Sequence, residues 1–179
     1  MIEENNQLKR KRNRIEDYDY SQNGAYFITI CSKDKAKIFG KIVGADTIRL
    51  TSKEGIQNVG EDIILPQIAL SPMGKTVDEA ICNISDIYEN VFVDIYTIMP
   101  NHIHIMLSID RDGRMISAPT ISTIVGQFKR KCSKEIGKPI WQKSFYEHVI
   151  RNLNDYAAHW QYIIENPLKW QLGEDEYYD

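Results

Sequence analysis

The sequence predicts an α+β fold of the ferredoxin-like (RRM-like) type, in which an antiparallel sheet carries helices on one face and a further helix follows at the C-terminus. Runs of β-branched and aromatic residues at 25–31 and 91–109 indicate strands. Apolar residues spaced three and four apart at 71–90 and 120–136 indicate helices. The resulting order, two strands, a helix, two strands and two helices, is typical of a two-layer α+β domain.

The first predicted strands lie in the N-terminal third of the chain. Residues 25–31, Ala-Tyr-Phe-Ile-Thr-Ile-Cys, are of the types that favour strands. Residues 38–50 predict one or two short strands that are broken by Gly40 and Gly44. A loop rich in glycine, serine and asparagine follows to about Pro66. This part of the chain is therefore expected to contribute strands and loops.

The middle of the chain combines one helix with a hairpin. We expect a helix over 71–90, because Ser71 is a good N-cap and Pro72 suits the first helical position. Residues 91–98 alternate in character and are β-branched, Met-Pro-Asn then forms a tight turn, and 102–109 is a second strand. These two strands are therefore expected to pair with each other.

The C-terminal third predicts two helices separated by an irregular segment. The first helix covers about 120–136 and ends at Gly137. Residues 139–150 indicate extended or irregular chain with aromatic anchors. The last helix is expected over 154–165, and Pro167 should end it, because proline lacks the amide hydrogen that a helix interior uses.

Length and composition favour a single domain. The chain has 179 residues, of which 42% are hydrophobic, and this is enough for one core. We place the domain at 18–170, between a basic N-terminal segment at 1–17 and an acidic tail at 171–179. No run approaches the ~18 apolar residues that a membrane helix needs, and the N-terminus has no signal-peptide core. The sequence therefore predicts a cytoplasmic protein with no membrane partner.

Three cysteines indicate thiols rather than a disulfide framework. Cys31, Cys82 and Cys132 are widely spaced, odd in number and form no CxxC pair. Such spacing provides neither a zinc knuckle nor a set of disulfides. We expect the three thiols to be buried or partly buried.

Positive charge is concentrated in two runs. The formal net charge is -3, which speaks against nucleic-acid binding because many such proteins are basic. The distribution of charge matters more than its sum, however, and basic residues crowd the N-terminus and recur near residue 130. The candidate DNA contacts are Arg10, Arg12, Lys129, Arg130 and Lys131. The alternative is that both runs are only solvated surface.

Two histidines are the first candidates for chemistry. His102 and His104 lie two residues apart in a predicted strand, so both side chains project from one face while Ile103 faces the opposite layer. Two imidazoles on one face of a rigid strand can form part of a divalent metal site. The alternative is a pair of surface histidines on a solvated sheet face.

The last predicted helix offers a third ligand and a nucleophile. Tyr162 and Asn166 are four residues apart and therefore share one helical face. Mg²⁺ and Mn²⁺ accept imidazole and amide-oxygen ligands, so Asn166 could complete the metal site. Tyr162 would then place its hydroxyl near a metal-bound substrate. Tyr162 could instead be a packing aromatic, and His159 is a rival ligand.

Four stretches of the chain, taken in order, carry a family resemblance. They are Tyr-Asp-Tyr at 18–20 with Gly-Ala-Tyr-Phe-Ile-Thr-Ile-Cys at 24–31, Met-Pro-Asn-His-Ile-His at 99–104, Trp-Gln-Lys-Ser-Phe-Tyr-Glu-His-Val-Ile-Arg at 141–151, and Tyr-Ile-Ile-Glu-Asn-Pro at 162–167. Together they span nearly the whole chain. On these motifs the chain resembles the HUH single-tyrosine transposases, and within them the REP-associated tyrosine transposase-like branch.

The resemblance implies a reaction and a role for each candidate residue. His102 and His104 match the family's metal ligands. Tyr162 matches its nucleophile, and Asn166 matches the polar residue that completes the metal site. The family cleaves single-stranded DNA next to a hairpin, holds the strand as a 5′-phosphotyrosine and rejoins it to a 3′-hydroxyl. The implied cofactor is Mg²⁺ or Mn²⁺, the implied partner is single-stranded or hairpin DNA, and the protein would act as a monomer or homodimer. His159 or a metal-bound water could be the general base.

Two other functions are compatible with the sequence. A catalytically silent or domesticated relative would bind hairpin DNA without cutting it. An unrelated metal-dependent phosphodiesterase would share the histidine pair but form no covalent bond with DNA. A protein that only binds DNA would not need all four matched residues, which favours the enzyme.

Overall fold

The computed structural model describes residues 24–47, 64–110 and 119–175. The basic N-terminal segment, with the candidate DNA contacts Arg10 and Arg12, lies outside these ranges. Over the described ranges, no helix combines the length and the apolar character that crossing a bilayer requires.

The described residues form six strands and four α-helices. In chain order these are β1 (Gly24–Cys31), β2 (Gly40–Thr47), β3 (Ile64–Leu70), α1 (Pro72–Cys82), α2 (Ile84–Ile87), β4 (Val91–Ile98), β5 (His102–Ile109), α3 (Ile121–Ile136), β6 (Tyr146–Ile150) and α4 (Leu153–Leu172). The main sheet has the order β4-β5-β1-β6, and each neighbouring pair is antiparallel. This order, with α1 and α3 as the crossover helices, is that of a ferredoxin-like domain. The predicted fold class is confirmed.

The main sheet is covered on both faces. Alternate side chains of its two central strands, including Ile28 and Ile103, point into a large core that α1 and α3 complete. The intervening side chains Phe27 and Met106 point the other way and pack with Ile163 of α4. The face under α4 is therefore a separate layer, and it is the layer toward which the even-numbered residues of β5 project.

The structure corrects the predicted loop that ends at about Pro66. Strand β3 begins at Ile64, includes Pro66 and pairs with β2 in a separate two-stranded antiparallel sheet. The register of this pairing shifts between Val43 and Ala45, and Pro66 lies opposite Ala45. A bulge in a two-stranded ribbon tolerates proline, because the missing N–H need not join a continuous ladder.

The predicted helix over 71–90 is shorter and interrupted. Ser71 caps it as expected, since its hydroxyl oxygen accepts a hydrogen bond from the Gly74 N–H. Helix α1 ends at Cys82, and Asn83, at φ -80° and ψ -2°, separates it from the short α2. Asparagine favours such helix ends because its side chain competes for backbone hydrogen bonds.

The last helix is longer than predicted. Helix α4 continues through Pro167, which we expected to end it. Proline removes one backbone hydrogen bond, but the apolar side chains of Pro167 and Trp170 are buried in this turn and offset that loss. The helix ends instead at Gly173, whose φ of 72° lies in the left-handed region that glycine favours.

The segment 139–150, predicted to be extended or irregular, ends in the extended strand β6, which pairs with β1 at the edge of the main sheet. The prediction for the cysteines needs one correction. Cys132 is buried and Cys31 is partly buried, as expected, but Cys82 is exposed at the end of α1. Its sulfur lies 3.5 Å from the hydroxyl of Tyr96.

Candidate functional site

The two predicted metal ligands lie at the start of β5, under helix α4. The side chains of His102 and His104 are both 0% exposed, and their Nε2 atoms are 3.0 Å apart. Ile103 between them belongs to the opposite core, as the strand periodicity predicted. Because both rings are fully buried, the alternative of solvated surface histidines is wrong.

The separation of the two Nε2 atoms fits ligands of one metal ion. Two ligand atoms that are each about 2.1 Å from an octahedral ion, at a right angle, lie roughly 3.0 Å apart. The observed distance between the Nε2 atoms is 3.0 Å. The pair is therefore preorganised for two neighbouring positions around such an ion.

Each ring is oriented by a hydrogen bond at its other nitrogen. His102 Nδ1–H donates to the side-chain oxygen of Asn101 at 2.7 Å. An amide oxygen only accepts, so Nε2 of His102 keeps its lone pair. Without metal, His104 Nε2–H can donate to His102 Nε2 at 3.0 Å, while its Nδ1 accepts from the hydroxyl of Thr29 at 2.8 Å. The same hydroxyl can instead accept from Nδ1–H, which is the tautomer that leaves His104 Nε2 free for an ion. Partners of this kind fix the ring orientation of metal-binding histidines.

Burial keeps both imidazoles neutral, which is the form that binds metal. Burial lowers the pKa of His102 to about 3, and a polar contact with Asn166 acts in the opposite direction. Burial also lowers the pKa of His104 well below its usual range, and the neighbouring His102 adds to this effect. Neither ring therefore needs to lose a proton before it binds an ion at neutral pH.

The buried histidines predict a stability that falls with acid in the metal-free protein. Histidine in the unfolded chain takes up a proton near pH 6.5, whereas the pKa of folded His102 is about 3. Between these values the unfolded state binds more protons, so the free energy of unfolding decreases by roughly 1.4 kcal/mol per pH unit for each such histidine. Urea unfolding at pH 7 and pH 5 measures this difference. The double variant His102→Gln/His104→Gln should show a smaller decrease, and an equal one would contradict the expectation.

Helix α4 brings Asn166 to the histidine pair. Its side chain is completely buried, and among the described residues neither amide atom reaches a partner with good hydrogen-bond geometry. The amide is nevertheless close enough to His102 to raise the pKa of that ring against the larger effect of burial. Buried amides normally have hydrogen-bond partners. An amide oxygen in this state, beside the neutral imidazole of His102, is a suitable donor for a hard divalent ion.

Tyr162 lies beside the same pair. Its ring meets His104 edge to face, with centroids 5.2 Å apart, and meets Phe27 with centroids 5.8 Å apart. The Nζ atom of Lys169 lies 4.8 Å from the centroid of the tyrosine ring, within the range of a cation–π contact. Tyr162 is half-buried. Tyr162 therefore packs between α4 and the sheet and also lies next to His104. Its two predicted roles, as a packing aromatic and as a nucleophile, are compatible with each other.

One site residue escaped the sequence analysis. Asp175 is 6% exposed, and its Oδ2 atom lies 3.8 Å from His102 Nε2. The tail predicted at 171–179 is therefore partly wrong: α4 continues to Leu172, the chain turns at Gly173, and Asp175 returns to the histidines. A carboxylate oxygen is a favoured ligand of Mg²⁺ and Mn²⁺. The only sequence signal was an acidic run directly after the tyrosine-bearing helix.

The candidate DNA contacts on α3 fall into two groups. Lys129 donates hydrogen bonds from Nζ to the carbonyl oxygens of Gln142 and Ser144, and burial lowers the pKa of its amine. It therefore holds the segment before β6. Arg130 is exposed and Lys131 is partly exposed, so these two side chains are better placed for a phosphate backbone.

His159, the predicted rival ligand, lies outside the histidine pair. Its Nδ1 atom is 3.0 Å from Asp155 Oδ1. The ring of Phe27 contacts both His159 and His104, with centroid distances of 4.8 Å and 5.1 Å. The structure thus brings together the residues predicted as ligands and nucleophile, and it places His159 in a different cluster.

The sequence and the fold have counterparts among known proteins. No protein-family model matches the chain. An uncharacterized protein of Haemophilus influenzae is 29% identical, with 92% of each chain aligned. The REP-associated tyrosine transposase of Escherichia coli K12 is 34% identical, over 43% of this chain and 44% of its own length. The solved structure of a REP-associated tyrosine transposase bound to a REP hairpin has 19% sequence identity and a TM-score of 0.57, and the match covers 91% of this chain and 76% of that one.

The described residues share the ferredoxin-like α+β fold of that solved structure, and the sequence similarity supports a relationship to the transposases. More narrowly, the predicted resemblance to the REP-associated tyrosine transposase-like branch is confirmed. The chain aligns with less than half the length of the Escherichia coli transposase.

Proposed function

We propose that the protein is a metal-dependent strand transferase that cleaves single-stranded DNA next to a hairpin, holds the cut strand on Tyr162 and rejoins it. One observation carries the proposal: two neutral, buried imidazoles have Nε2 atoms 3.0 Å apart, His104 meets the ring of Tyr162, and His102 has a polar contact with the buried amide of Asn166. A core without chemistry has little reason to bury three such polar groups together.

His102, His104 and Asn166 would hold Mg²⁺ or Mn²⁺, and Asp175 is a candidate fourth ligand. When bound, the ion supplies a positive charge that polarises a phosphodiester and offsets the charge that develops during its cleavage. The protein contributes the fixed ring orientations, the neutral imidazoles and a layer under α4 that excludes water from the ligands.

The proposed reaction conserves phosphodiester bonds. The oxygen of Tyr162 forms a bond to phosphorus as its proton is lost, and the bond from phosphorus to the 3′-oxygen breaks, so a 3′-hydroxyl and a 5′-phosphotyrosine result. In the second step a 3′-hydroxyl attacks the same phosphorus and the tyrosine oxygen leaves. No external energy source is needed, because one ester replaces another in each step.

The test of the proposed function is a strand-cleavage assay. The full chain is incubated with single-stranded DNA that carries the hairpins flanking its own gene, with Mn²⁺ or Mg²⁺, and the products are separated on a denaturing gel. We expect a covalent protein–DNA band that requires the metal ion. Cleavage by hydrolysis without that band would support a phosphodiesterase, and binding without cleavage would support a silent hairpin-binding protein.

DNA binding should depend on Arg130. If this exposed side chain contacts a phosphate, Arg130→Gln should weaken binding to all sequences and reduce the slope of log affinity against log salt by about one. Fluorescence anisotropy at several salt concentrations measures the slope. Lys75→Gln, which alters an exposed lysine on α1, is the matched control and should leave the slope unchanged. An equal slope for Arg130→Gln and the native protein would remove Arg130 from the interface.

Metal affinity should depend on the charge of Asp175. Asp175→Asn keeps the size of this buried side chain and removes its carboxylate, so we expect the dissociation constant for Mn²⁺ to rise about tenfold. Isothermal titration calorimetry measures it. Glu174→Gln removes the charge of the exposed neighbouring residue and serves as the control. An equal, small rise in the Mn²⁺ dissociation constant of both variants would show that Asp175 acts only through its negative charge and is not a ligand.

A further inference from the structure

A second cluster of metal-ligand side chains lies beside the ring of Phe27, on β6 and the first turns of α4. It consists of His148, Asp155 and His159, whose candidate ligand atoms all lie within 4.8 Å of one another. His148 Nε2 is 2.9 Å and 3.1 Å from the two carboxylate oxygens of Asp155, and His159 Nδ1 is 3.0 Å from Oδ1. The two imidazole rings are stacked, with centroids 4.5 Å apart and planes 17° from parallel.

We propose that His148, Asp155 and His159 bind a second divalent ion of the zinc, cobalt or nickel class, in a site separate from the histidine pair on β5. The proposal does not depend on the proposed strand transfer, because it uses other residues and needs no DNA. Its ligand set, two imidazoles and one carboxylate, leaves further positions open to water. Imidazole nitrogen is a favoured ligand of these ions.

The distances within the cluster fit shared coordination. The nitrogen-to-oxygen separations of 2.9–3.1 Å are close to the roughly 3.0–3.4 Å expected between neighbouring ligands at about 2.1 Å from one octahedral or tetrahedral ion. The side chains of all three residues are partly exposed, at 19–28%. An ion can therefore enter from solvent and keep bound water.

The ligands are preorganised by rigid neighbours. The Arg151 N–H donates to Asp155 Oδ2 at 2.9 Å, and the Asp155 N–H donates to the side chain of Asn152, the N-cap of α4. The bond from Arg151 fixes the carboxylate, whose Oδ1 lies 3.1 Å from His148 Nε2 and 3.0 Å from His159 Nδ1. Asp155 and His159 are four residues apart on the helix, and His148 comes from the neighbouring strand. An ion here would join β6 to the N-terminal end of the helix that carries Tyr162 and Asn166.

Without metal, the same groups can form a hydrogen-bonded cap. His148 Nε2–H can donate to the carboxylate, and His159 Nδ1–H can donate to the main-chain oxygen of Asp155 at 2.9 Å. His148→Gln separates the two states, because a glutamine amide can still donate to Asp155 but is a poor ligand for zinc. The variant should therefore keep the cap and lose the ion.

The experiment uses the full chain with His102→Gln and His104→Gln as background, so that only the second cluster can bind. We expect this protein to bind one Zn²⁺ by calorimetry and one Co²⁺ by visible absorption, and its Tm to rise by about 5 °C at a hundredfold excess of Zn²⁺ over Kd. Adding His148→Gln, or independently His159→Gln, should abolish binding and the rise in Tm while the Tm without metal stays within a few degrees. No bound ion in the background protein, or equal binding after either further change, would overturn the proposal.

Discussion

Tyr162→Phe is expected to abolish the covalent protein–DNA product and to reduce strand cleavage by at least about 10⁴-fold. The substitution removes only the hydroxyl oxygen that would attack phosphorus. The phenylalanine ring can keep its contacts with His104 and Phe27, so the fold and the metal site should persist. Cleavage is measured with end-labelled hairpin DNA, and binding of the same DNA is measured separately to show that only chemistry is lost.

Tyr156→Phe is the matched control, since Tyr156 lies on the same helix. Its hydroxyl donates to Asp94 at 3.1 Å, and burial together with Asp94 raises the pKa of Tyr156 to about 12, which makes it a poorer nucleophile. This variant should form the covalent product at close to the native rate. A covalent product that persists in Tyr162→Phe and disappears in Tyr156→Phe would reassign the nucleophile.

His104→Gln is expected to weaken Mn²⁺ binding by more than about 100-fold and cleavage by about 10³-fold or more. The His104 ring is completely buried, so water cannot easily take its place, and a glutamine amide cannot reproduce both Nε2 toward the ion and Nδ1 toward Thr29. Calorimetry with Mn²⁺ and the cleavage assay measure the two effects. Hairpin DNA should still bind, because the substitution leaves the candidate DNA contacts Arg130 and Lys131 on α3 unchanged.

Thr29→Val provides a graded comparison for the metal site. It keeps both histidines and removes only the hydroxyl that lies 2.8 Å from His104 Nδ1, so we expect a smaller loss of Mn²⁺ affinity, about 10-fold. Native Mn²⁺ affinity in His104→Gln would show that the ion binds elsewhere, whatever the result for Thr29→Val.

The parts of the site that depend on local periodicity could be predicted from the sequence. The alternation of β5 placed His102 and His104 on one face and Ile103 on the other. The helical repeat placed Tyr162 and Asn166 on one face of α4. Burial of the pair could not be predicted in this way, because it depends on α4 crossing the sheet, a contact between segments about sixty residues apart.

The parts that depend on tertiary packing were missed. Proline normally ends a helix, but Pro167 is tolerated because the turn that contains it is buried, together with Trp170. Only this continuation, with the left-handed turn at Gly173, brings Asp175 back to His102. Likewise the sequence indicates that Lys129 is one of several surface charges. In the structure its amine instead donates to the carbonyl oxygens of Gln142 and Ser144, more than ten residues further along the chain.

The most direct measurement is to locate the DNA on the protein. The covalent product formed with Mn²⁺ is digested with nuclease and trypsin, and the peptide that spans 152–169 is fragmented in a mass spectrometer. We predict a nucleotide 5′-phosphate on Tyr162, with Tyr156 in the same peptide unmodified. A nucleotide on any other residue, or native protein that cuts the hairpin DNA without forming a covalent product, would contradict the account.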